Sequence, residues 1–343
     1  MTPMTARTRD VSSREKFVSI QVLRALAAVM VVIFHMPGAL GAPDLDLVPL
    51  ASGVDLFFVV SGFVMVVSAG RAKPSAREFI AQRFVRIVPL YWLMTVVALA
   101  VGFYAGEANH LGMLVKSLLF IPYQDMSTGF MQPILGVGWT LNLEIVFYLL
   151  FALTMVLGSV RQMIALAALF GGAVAVRIVV APPTDHVLFF YTTPMIFEFL
   201  TGMLVGHSLA AIRRMPSWMA LVAVIFAVAL SLVLTLELNL PRTLGRGVPA
   251  VLLVVGCIRL EQWFRTERLR GVAYLGDASY SLYLTHLTVL VVMTPWATTA
   301  PLPVILTASV LLATCLGTGL LTYRFVEKPL LKIFRPKRLP ALA

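Results

Sequence analysis

Long apolar segments separated by short polar stretches dominate this chain. A helix needs about 20 predominantly apolar residues to cross the hydrocarbon core of a bilayer. The pattern therefore predicts about ten transmembrane helices, with approximate bounds 18–36, 53–69, 86–104, 141–159, 162–181, 187–207, 218–236, 244–259, 275–295 and 303–325. The segment 244–259 is the shortest and contains Pro249. We predict an all-α integral membrane protein.

Composition supports this class. The 343 residues are 59% hydrophobic and 13% charged, with a mean hydropathy of +0.92, which is too apolar for a soluble globule. Both cysteines, Cys257 and Cys315, fall within apolar segments. We therefore expect free, buried thiols and no disulfide framework.

The basic residues predict the topology. A net charge of +11 could indicate nucleic-acid binding, but the basic residues lie mainly at the ends of apolar segments. Of the 27 Lys and Arg residues, 22 fall on one side of the predicted membrane, 4 fall on the other, and Arg24 lies within a segment. The positive-inside rule and an even number of helices place both termini in the cytoplasm. The prediction is a cytoplasmic tail at 1–17, a membrane domain at 18–328 and a basic cytoplasmic tail at 329–343, in contact with lipid and not with nucleic acid.

The first apolar segment carries two functional groups, Arg24 and His35. Eleven positions at about 100° each amount to three turns plus about 20°, so both side chains leave the same helix face. Their Cα atoms lie about 16 Å apart along the axis. A charged residue inside a membrane helix is expensive and usually functional.

Three titratable groups share the outer level of the predicted membrane. They are His35 at the end of the first helix, Asp55 at the start of the second and Glu144 at the start of the fourth. A carboxylate beside an imidazole can fix its tautomer and prepare it as a general base. The alternative is that these groups simply meet headgroups and water at helix ends.

Two further sets of polar residues are candidates for ligand contact. Arg83 and Arg86, at spacing i, i+3, share one helix face near the cytoplasm and could clamp phosphates, or could snorkel to the interface. The segment 275–295 carries Ser279, Tyr280 and His286 in an otherwise apolar helix. These could contact a substrate or form interhelical hydrogen bonds, and His286 is predicted near mid-membrane. The sequence contains no metal-spaced cluster of Cys and His residues.

Six ordered motifs resemble the acyltransferase 3 family of integral membrane acyltransferases, most closely its surface-polysaccharide and exopolysaccharide O-acetyltransferases. They are R-A-L-A-A-V-M-V-V-I-F-H at 24–35, G-V-D-L-F-F-V-V-S-G-F at 53–63, R-F-V-R-I-V-P-L-Y-W at 83–92, G-W-T-L-N-L-E-I-V-F-Y-L at 138–149, L-G-D-A-S-Y-S-L-Y-L-T-H at 275–286 and R-F-V-E-K-P at 324–329. The resemblance covers nearly the whole chain.

The resemblance implies a ten-helix enzyme of the bacterial inner membrane. Such an enzyme transfers an acyl group, most often acetyl, from cytoplasmic acyl-CoA to a hydroxyl of a surface carbohydrate, free or lipid-linked. By motif position, His35 is the catalytic histidine, Arg24 its partner and Glu144 the acidic residue of the fourth motif. Arg83 and Arg86 match the family's basic pair, which implies contact with the CoA phosphates. Acyl-CoA enters as the donor substrate, and no bound cofactor is implied.

Two classes of function remain open from the residues themselves. In an enzyme, His35 would remove the proton of the acceptor hydroxyl or carry the acyl group transiently. Alternatively, the same intramembrane charges could form the pathway of a multi-pass transporter or flippase for an acidic or sugar substrate. The sequence shows no paired halves with broken helices, which such transporters often have. The motif set favours the enzyme.

Overall fold

A computed structural model describes residues 16–45, 47–104, 111–125, 129–180, 186–236 and 242–334, and these residues are mostly helical with no β-strand among them. Most of the two predicted tails, at 1–15 and 335–343, lies outside the described residues. The helices are α1 Val18–Ala39, α2 Ser52–Ala72, α3 Ala76–Tyr104, α4 Leu111–Leu118, α5 Trp139–Thr154, α6 Ser159–Val179, α7 His186–Tyr191, α8 Ile196–His207, α9 Leu209–Arg214, α10 Ser217–Leu236, α11 Val248–Arg259, α12 Glu261–Phe264, α13 Arg270–Asp277, α14 Ser279–Thr299, α15 Val304–Thr322 and α16 Lys328–Phe334. Two π-helical turns, Thr243–Gly247 and Tyr323–Glu327, lead into α11 and α16.

Seven helical stretches within the described ranges are long and apolar enough to cross a membrane. They contain α1, α2, α3, α5, α6, α8 and α15. The predicted segment 218–236 forms α10, an apolar helix of 20 residues, and the segment 244–259 forms the π-turn and the 12-residue helix α11. The segment predicted at 275–295 forms α14, whose Ser, Tyr, Thr and His side chains lower its hydropathy. The protein is therefore a helical membrane protein, and the count of ten spans stays a prediction.

Helix α2 lies at the centre of the packing. Its residues Val54 and Phe58 pack into one core with α3, α5 and α8, whereas Leu56 and Phe63 pack into a second core with α1 and α11. A third core joins α1 with α14 and α15. Because α1 contributes to all three cores and α2 to two of them, polar side chains on these helices are held by rigid neighbours.

Backbones of α2 and α8 approach each other closely at two glycines. A Cβ atom on Gly62 would overlap the carbonyl of Phe199, and one on Gly202 would overlap the carbonyl of Val59. Membrane helices commonly use small residues in this way, because contact between backbones replaces the hydrophobic driving force that lipid does not provide. Only glycine fits at these two positions.

Local signals fix the start of α3. Lys73 adopts a left-handed conformation with φ of 43° and ends α2. Ser75 Oγ then accepts a hydrogen bond from the Glu78 backbone N–H, and the Glu78 carboxylate accepts one from the Ser75 backbone N–H. This reciprocal capping box satisfies two backbone donors. It sets the start of the helix that presents Arg83 two turns later.

Two arginines gather around Phe17 at one end of the bundle. We call the end at which α1 begins the N-terminal face. There Phe17 lies under the guanidinium groups of Arg71 and Arg213, each 5.6 Å from the ring centre. We call the end at which α2 begins the opposite face. On the outer sides of the bundle, apolar residues of α6, α10 and α15 are exposed, for example Ile178, Ile225 and Ile305, as expected for lipid contact.

Both cysteines are free and buried, as the sequence predicts. Cys257 packs in the core shared by α1, α2 and α11, and Cys315 packs in the core shared by α1, α14 and α15. Each therefore serves as a small apolar side chain in the packing.

Candidate active site

A cavity of about 150 Å³ opens between α1, α2, α3, α5 and α14. Its wall carries three arginines, one carboxylate and several hydroxyl groups among apolar side chains. The residues that line it are Arg24, Val54, Phe57, Phe58, Val60, Ser61, Val64, Arg83, Arg86, Ile87, Thr140, Leu141, Glu144, Tyr148, Ser279, Tyr280 and Tyr283. Five elements that are distant in sequence thus build one polar site inside an apolar bundle.

Three cations, Arg24, Arg83 and Arg86, stand on the cavity wall, but their partners differ. Arg86 forms an ion pair with Glu327, which is 1% exposed. Glu327 also accepts a hydrogen bond of 2.5 Å from the Ser281 hydroxyl. The π-turn Tyr323–Glu327 carries this carboxylate to its position against Arg86.

Arg24 and Arg83 have neutral partners instead. Arg24 donates to the side-chain oxygen of Gln21 at 3.3 Å, and Arg83 donates to Ser68 Oγ at 3.2 Å. Within the part of the chain that the structure describes, neither guanidinium forms an ion pair, and Arg83 Nε is buried without a hydrogen-bond acceptor. Unpaired guanidinium donors beside a cavity suit an anionic ligand such as a phosphate.

Glu144 is the carboxylate of the cavity. It accepts hydrogen bonds from the Ser61 hydroxyl at 2.8 Å and from the Tyr148 hydroxyl. Tyr148 also lies 5.5 Å from the Arg83 guanidinium, measured to the ring centre. Glu144 thus binds Ser61 and Tyr148, and Tyr148 in turn lies beside Arg83. The predicted contact between Glu144 and His35 is not among them.

Tyr280 and Ser279 lie on the cavity wall in the first turn of α14. The Tyr280 hydroxyl donates to the Ile87 carbonyl at 2.8 Å, and its ring lies 5.8 Å from the Arg86 guanidinium. Ser279 Oγ is buried and has no hydrogen-bond partner among the described residues. This hydroxyl therefore remains available to a bound molecule.

The cavity wall connects to His35 through α14. The Tyr283 hydroxyl donates to the Val137 carbonyl at 3.0 Å and lies 2.9 Å from Thr140 Oγ1. Behind it, the rings of Tyr283 and His286 are 5.9 Å apart. His286 Nε2 in turn lies 3.3 Å from His35 Nδ1. Neither histidine lines the cavity.

The contact between His35 and His286 differs from the predicted arrangement. The sequence predicts His35 at the outer membrane level and His286 near mid-membrane, whereas the two imidazoles are in contact and lie at one depth. The reason is that α1 and α14 run side by side in the same direction. Gly276, at the end of α13, lies against the Gln21 backbone and sets this register.

Asp55 lies apart from the cavity and from His35. Its two carboxylate oxygens accept hydrogen bonds from Arg242 Nε and Nη2, each at 3.0 Å, and Asp55 is fully buried. Glu198, which is 2% exposed, lies beside this pair and has no hydrogen-bond partner within the described ranges. The sequence predicts His35, Asp55 and Glu144 at one level of the membrane. In the described structure these three side chains do not contact one another.

Several residues of the site escaped the sequence analysis. Tyr148 lies at i+4 from Glu144, so helical spacing could have indicated it. Glu327 lies in the sixth motif, R-F-V-E-K-P at 324–329, but the motif alone indicates no role for this carboxylate. Arg242 and Ser61 gave no comparable signal, because only the tertiary fold brings them to Asp55 and Glu144.

Comparisons with known proteins show the family of this chain. The family described as an acyltransferase domain matches residues 17–323 of the chain. The chain is 38% identical over 298 residues to the exopolysaccharide production protein ExoZ of Rhizobium meliloti, covering 85% of this chain and 92% of that protein. The chain therefore belongs to the acyltransferase 3 family and is an acyltransferase that transfers groups other than amino-acyl groups.

Two other relatives share less of their length. The peptidoglycan O-acetyltransferase OatA of Listeria monocytogenes is 25% identical over 363 residues, covering 93% of this chain and 56% of that protein. The acyltransferase MdmB of Streptomyces mycarofaciens is 33% identical over 130 residues, covering 35% of this chain and 32% of that protein. No solved structure matches the chain.

Proposed function

We propose that this protein transfers an acyl group, in the first place acetyl, from acyl-CoA on the cytoplasmic side to a hydroxyl of a cell-surface or exopolysaccharide carbohydrate. One observation carries the donor assignment: Arg24 and Arg83 stand on the wall of a cavity without carboxylate partners. Two relatives, an exopolysaccharide production protein and a peptidoglycan O-acetyltransferase, support a polysaccharide acceptor.

The residues of the cavity wall suggest how a donor would lie. Arg24, Arg83 and Arg86 share this wall with Tyr283 and Thr140. The nucleotide and its phosphates would then lie at the arginine end, where guanidinium groups can bind phosphate oxygens in pairs. The acyl end would point along the cavity towards Tyr283 and Thr140.

His35 supplies the proton chemistry in this proposal. Its Nε2 removes the proton from the acceptor hydroxyl, and the resulting oxygen attacks the carbonyl carbon of the thioester. The carbon–sulfur bond breaks, and the thiolate of CoA takes the proton from Nε2. The alternative route, in which His35 carries the acyl group, uses the same nitrogen. In either route the acyl end must pass Tyr283 to reach His35.

Acyl transfer by the reconstituted protein tests this function. Protein in lipid nanodiscs receives acetyl-CoA and a surface glycan, and both the release of free CoA thiol and the acetyl ester on the glycan are measured. General acid–base catalysis contributes about 10²–10⁴-fold. His35→Ala should therefore lower transfer at least 100-fold, and His35→Gln nearly as much, since an amide accepts no proton near neutral pH.

The matched control is His207→Ala, which removes an exposed histidine at the end of α8. It should transfer at the wild-type rate. Wild-type transfer by correctly inserted His35→Ala would refute the role of His35. Movement of a sugar or anion across the bilayer without thioester turnover would instead support the transporter.

Orientation is part of the same proposal, with both termini in the cytoplasm of a bacterial inner membrane. The clustering of Phe17, Arg71 and Arg213 at the N-terminal face supports it, since basic residues concentrate on the cytoplasmic side. Reporter fusions after Arg213 and after Lys337 should report the cytoplasm, and fusions within 41–50 or 296–301 the opposite side. If the fusion after Lys337 reports the outside, the proposal of an even number of spans is contradicted.

A further inference from the structure

His286 has no assigned task in the proposed reaction, although it contacts the proposed base. It comes from α14, 251 positions after His35 of α1, and their ring centres lie 5.1 Å apart. His286 is fully buried, whereas His35 is partly exposed. A fully buried imidazole outside the cavity wall is poorly placed to bind a substrate, which is the role that the sequence suggested.

Hydrogen bonds to the backbone fix the tautomer of His286. Its Nδ1 lies 3.2 Å from the carbonyl oxygen of Leu282. A carbonyl oxygen only accepts, so Nδ1 must carry the proton. In the neutral ring, Nε2 then has a lone pair and accepts a hydrogen bond.

The same reasoning applies to His35. Its Nδ1 lies 2.8 Å from the Val31 carbonyl oxygen, so this nitrogen also carries a proton. Its N–H can be shared between Val31 and the lone pair of His286 Nε2, which lies 3.3 Å from His35 Nδ1. One assignment of protons thus satisfies all three contacts. It leaves His35 Nε2 unprotonated, as a general base requires.

We propose that His286 is a positioning residue: its Nε2 accepts from His35 Nδ1–H and so holds His35 in the tautomer and orientation that present Nε2 to the acceptor hydroxyl. This inference rests on the proposed function. When His35 takes up the proton, the new positive charge faces two acceptors, the Val31 carbonyl and His286 Nε2. Its role resembles that of the carboxylate that orients a catalytic histidine in other enzymes, but with a neutral ring.

The surroundings of the pair make this neutral acceptor important. The other titratable groups that contact His286 from the described elements are Tyr283 of α14 and Cys315 of α15, whose Sγ lies 4.0 Å from the His286 carbonyl oxygen. No carboxylate contacts either imidazole within the described ranges. The Val31 carbonyl and the neutral His286 ring therefore stand where Glu144 was predicted as a charged partner of His35.

Two substitutions of similar size separate hydrogen bonding from packing. Gln has a carbonyl oxygen near the position of Nε2, whereas Met fills the space without a comparable acceptor. His286→Met should lower kcat about 10- to 100-fold, which is part of the 10²–10⁴-fold range of general acid–base catalysis. KM for acetyl-CoA should stay within about twofold of wild type, because the arginine end is unchanged. His286→Gln should recover most of kcat.

The control and the outcomes distinguish this inference from the proposed function. Thr294→Val removes a hydroxyl eight positions after His286 in α14 that bonds to the Leu290 carbonyl of its own helix, and it should keep the wild-type kcat. If His286→Met is not inserted, His286→Ala takes its place. Wild-type kcat in His286→Met, equal loss in the Gln and Met variants, or a raised KM would each overturn the positioning role. Wild-type transfer by His35→Ala would overturn the proposed function itself.

Discussion

Two groups of charged residues lie inside this bundle, and they are built differently. Near the opposite face, Asp55 is fully buried and both of its oxygens accept from Arg242. On the cavity wall, Arg24 and Arg83 have only neutral hydrogen-bond partners in the described structure. In the first group the two charges neutralise each other, whereas in the second the positive charge faces a cavity.

This contrast separates buried charges that are neutralised within the protein from those that need a ligand as a partner. A charge in an apolar environment needs a partner, and a pair of fixed charges supplies it at all times. An unpaired guanidinium beside a void has its partner only when an anion binds. We therefore interpret the Asp55–Arg242 pair as structural and Arg24 and Arg83 as the ligand-binding group. Arg86 is intermediate, since it lines the cavity and also pairs with Glu327.

The largest effect on stability is expected at the Asp55–Arg242 pair. Arg242→Ala leaves Asp55 buried and unpaired beside Glu198, so we expect a loss of about 3–5 kcal/mol of folding free energy. Asp55→Ala should be milder, because the Arg242 side chain is 32% exposed and can be hydrated. Thermal unfolding in detergent measures both. The double variant Asp55→Leu, Arg242→Met should have a stability close to that of the wild type. A greater loss of stability for Asp55→Ala than for Arg242→Ala would contradict the interpretation of the pair as structural.

A smaller effect should separate Arg83 from Arg86. Charge-assisted bonds to phosphate contribute about 1.5–3 kcal/mol, so Arg83→Ala should weaken acyl-CoA binding roughly tenfold or more while leaving the melting temperature unchanged. Arg86→Ala should weaken binding and also lower the melting temperature, because Glu327 loses its cation. Arg83→Lys should restore binding only in part, since an ammonium lacks the planar fork.

Binding isotherms with acyl-CoA and melting curves on the same preparations provide the comparison. Lys73→Ala is the control, because it removes a cation at the end of α2 that does not line the cavity. Unchanged affinity for acyl-CoA in the Arg83→Ala, Arg86→Ala double variant would support the alternative, in which both side chains only snorkel to the membrane interface.

The smallest effect is expected for Tyr148→Phe. This change removes one of the two hydroxyl donors to Glu144 and leaves Ser61 in place. Because the Ser61 hydroxyl still donates to Glu144, the loss should be smaller than the roughly 1.5–3 kcal/mol of a full charge-assisted bond, and transfer should fall less than about tenfold. Removal of both donors, with Ser61→Ala added, should lower transfer further. An unchanged rate in the double variant would show that the orientation of Glu144 has no part in the reaction.

The sequence predicted what depends on local spacing. The helical class follows from apolar periodicity, and Arg83 and Arg86, three positions apart, do share the cavity wall. Partners were not predictable where the contact is distant along the chain. Asp55 and Arg242 are 187 positions apart, Arg86 and Glu327 are 241 apart, and His35 and His286 are 251 apart. Helix counting estimates the depth of a residue but not its neighbour, and it put the two histidines at different depths.

The glycine contact between α2 and α8 has a consequence for motion. Helices whose backbones touch cannot slide or tilt against each other without a steric clash at Gly62 and Gly202, so they move as one rigid body. In the proposed reaction, the acyl end of the donor would pass Tyr283 to reach His35. Tyr283 belongs to α14, which packs on α1 and α15, and only side chains such as the Tyr283 ring, 5.8 Å from the Phe57 ring, link it to the rigid pair. Opening of the passage is therefore expected as a displacement of α14 past a stationary α2–α8 unit, on the microsecond-to-millisecond timescale of collective helix motions.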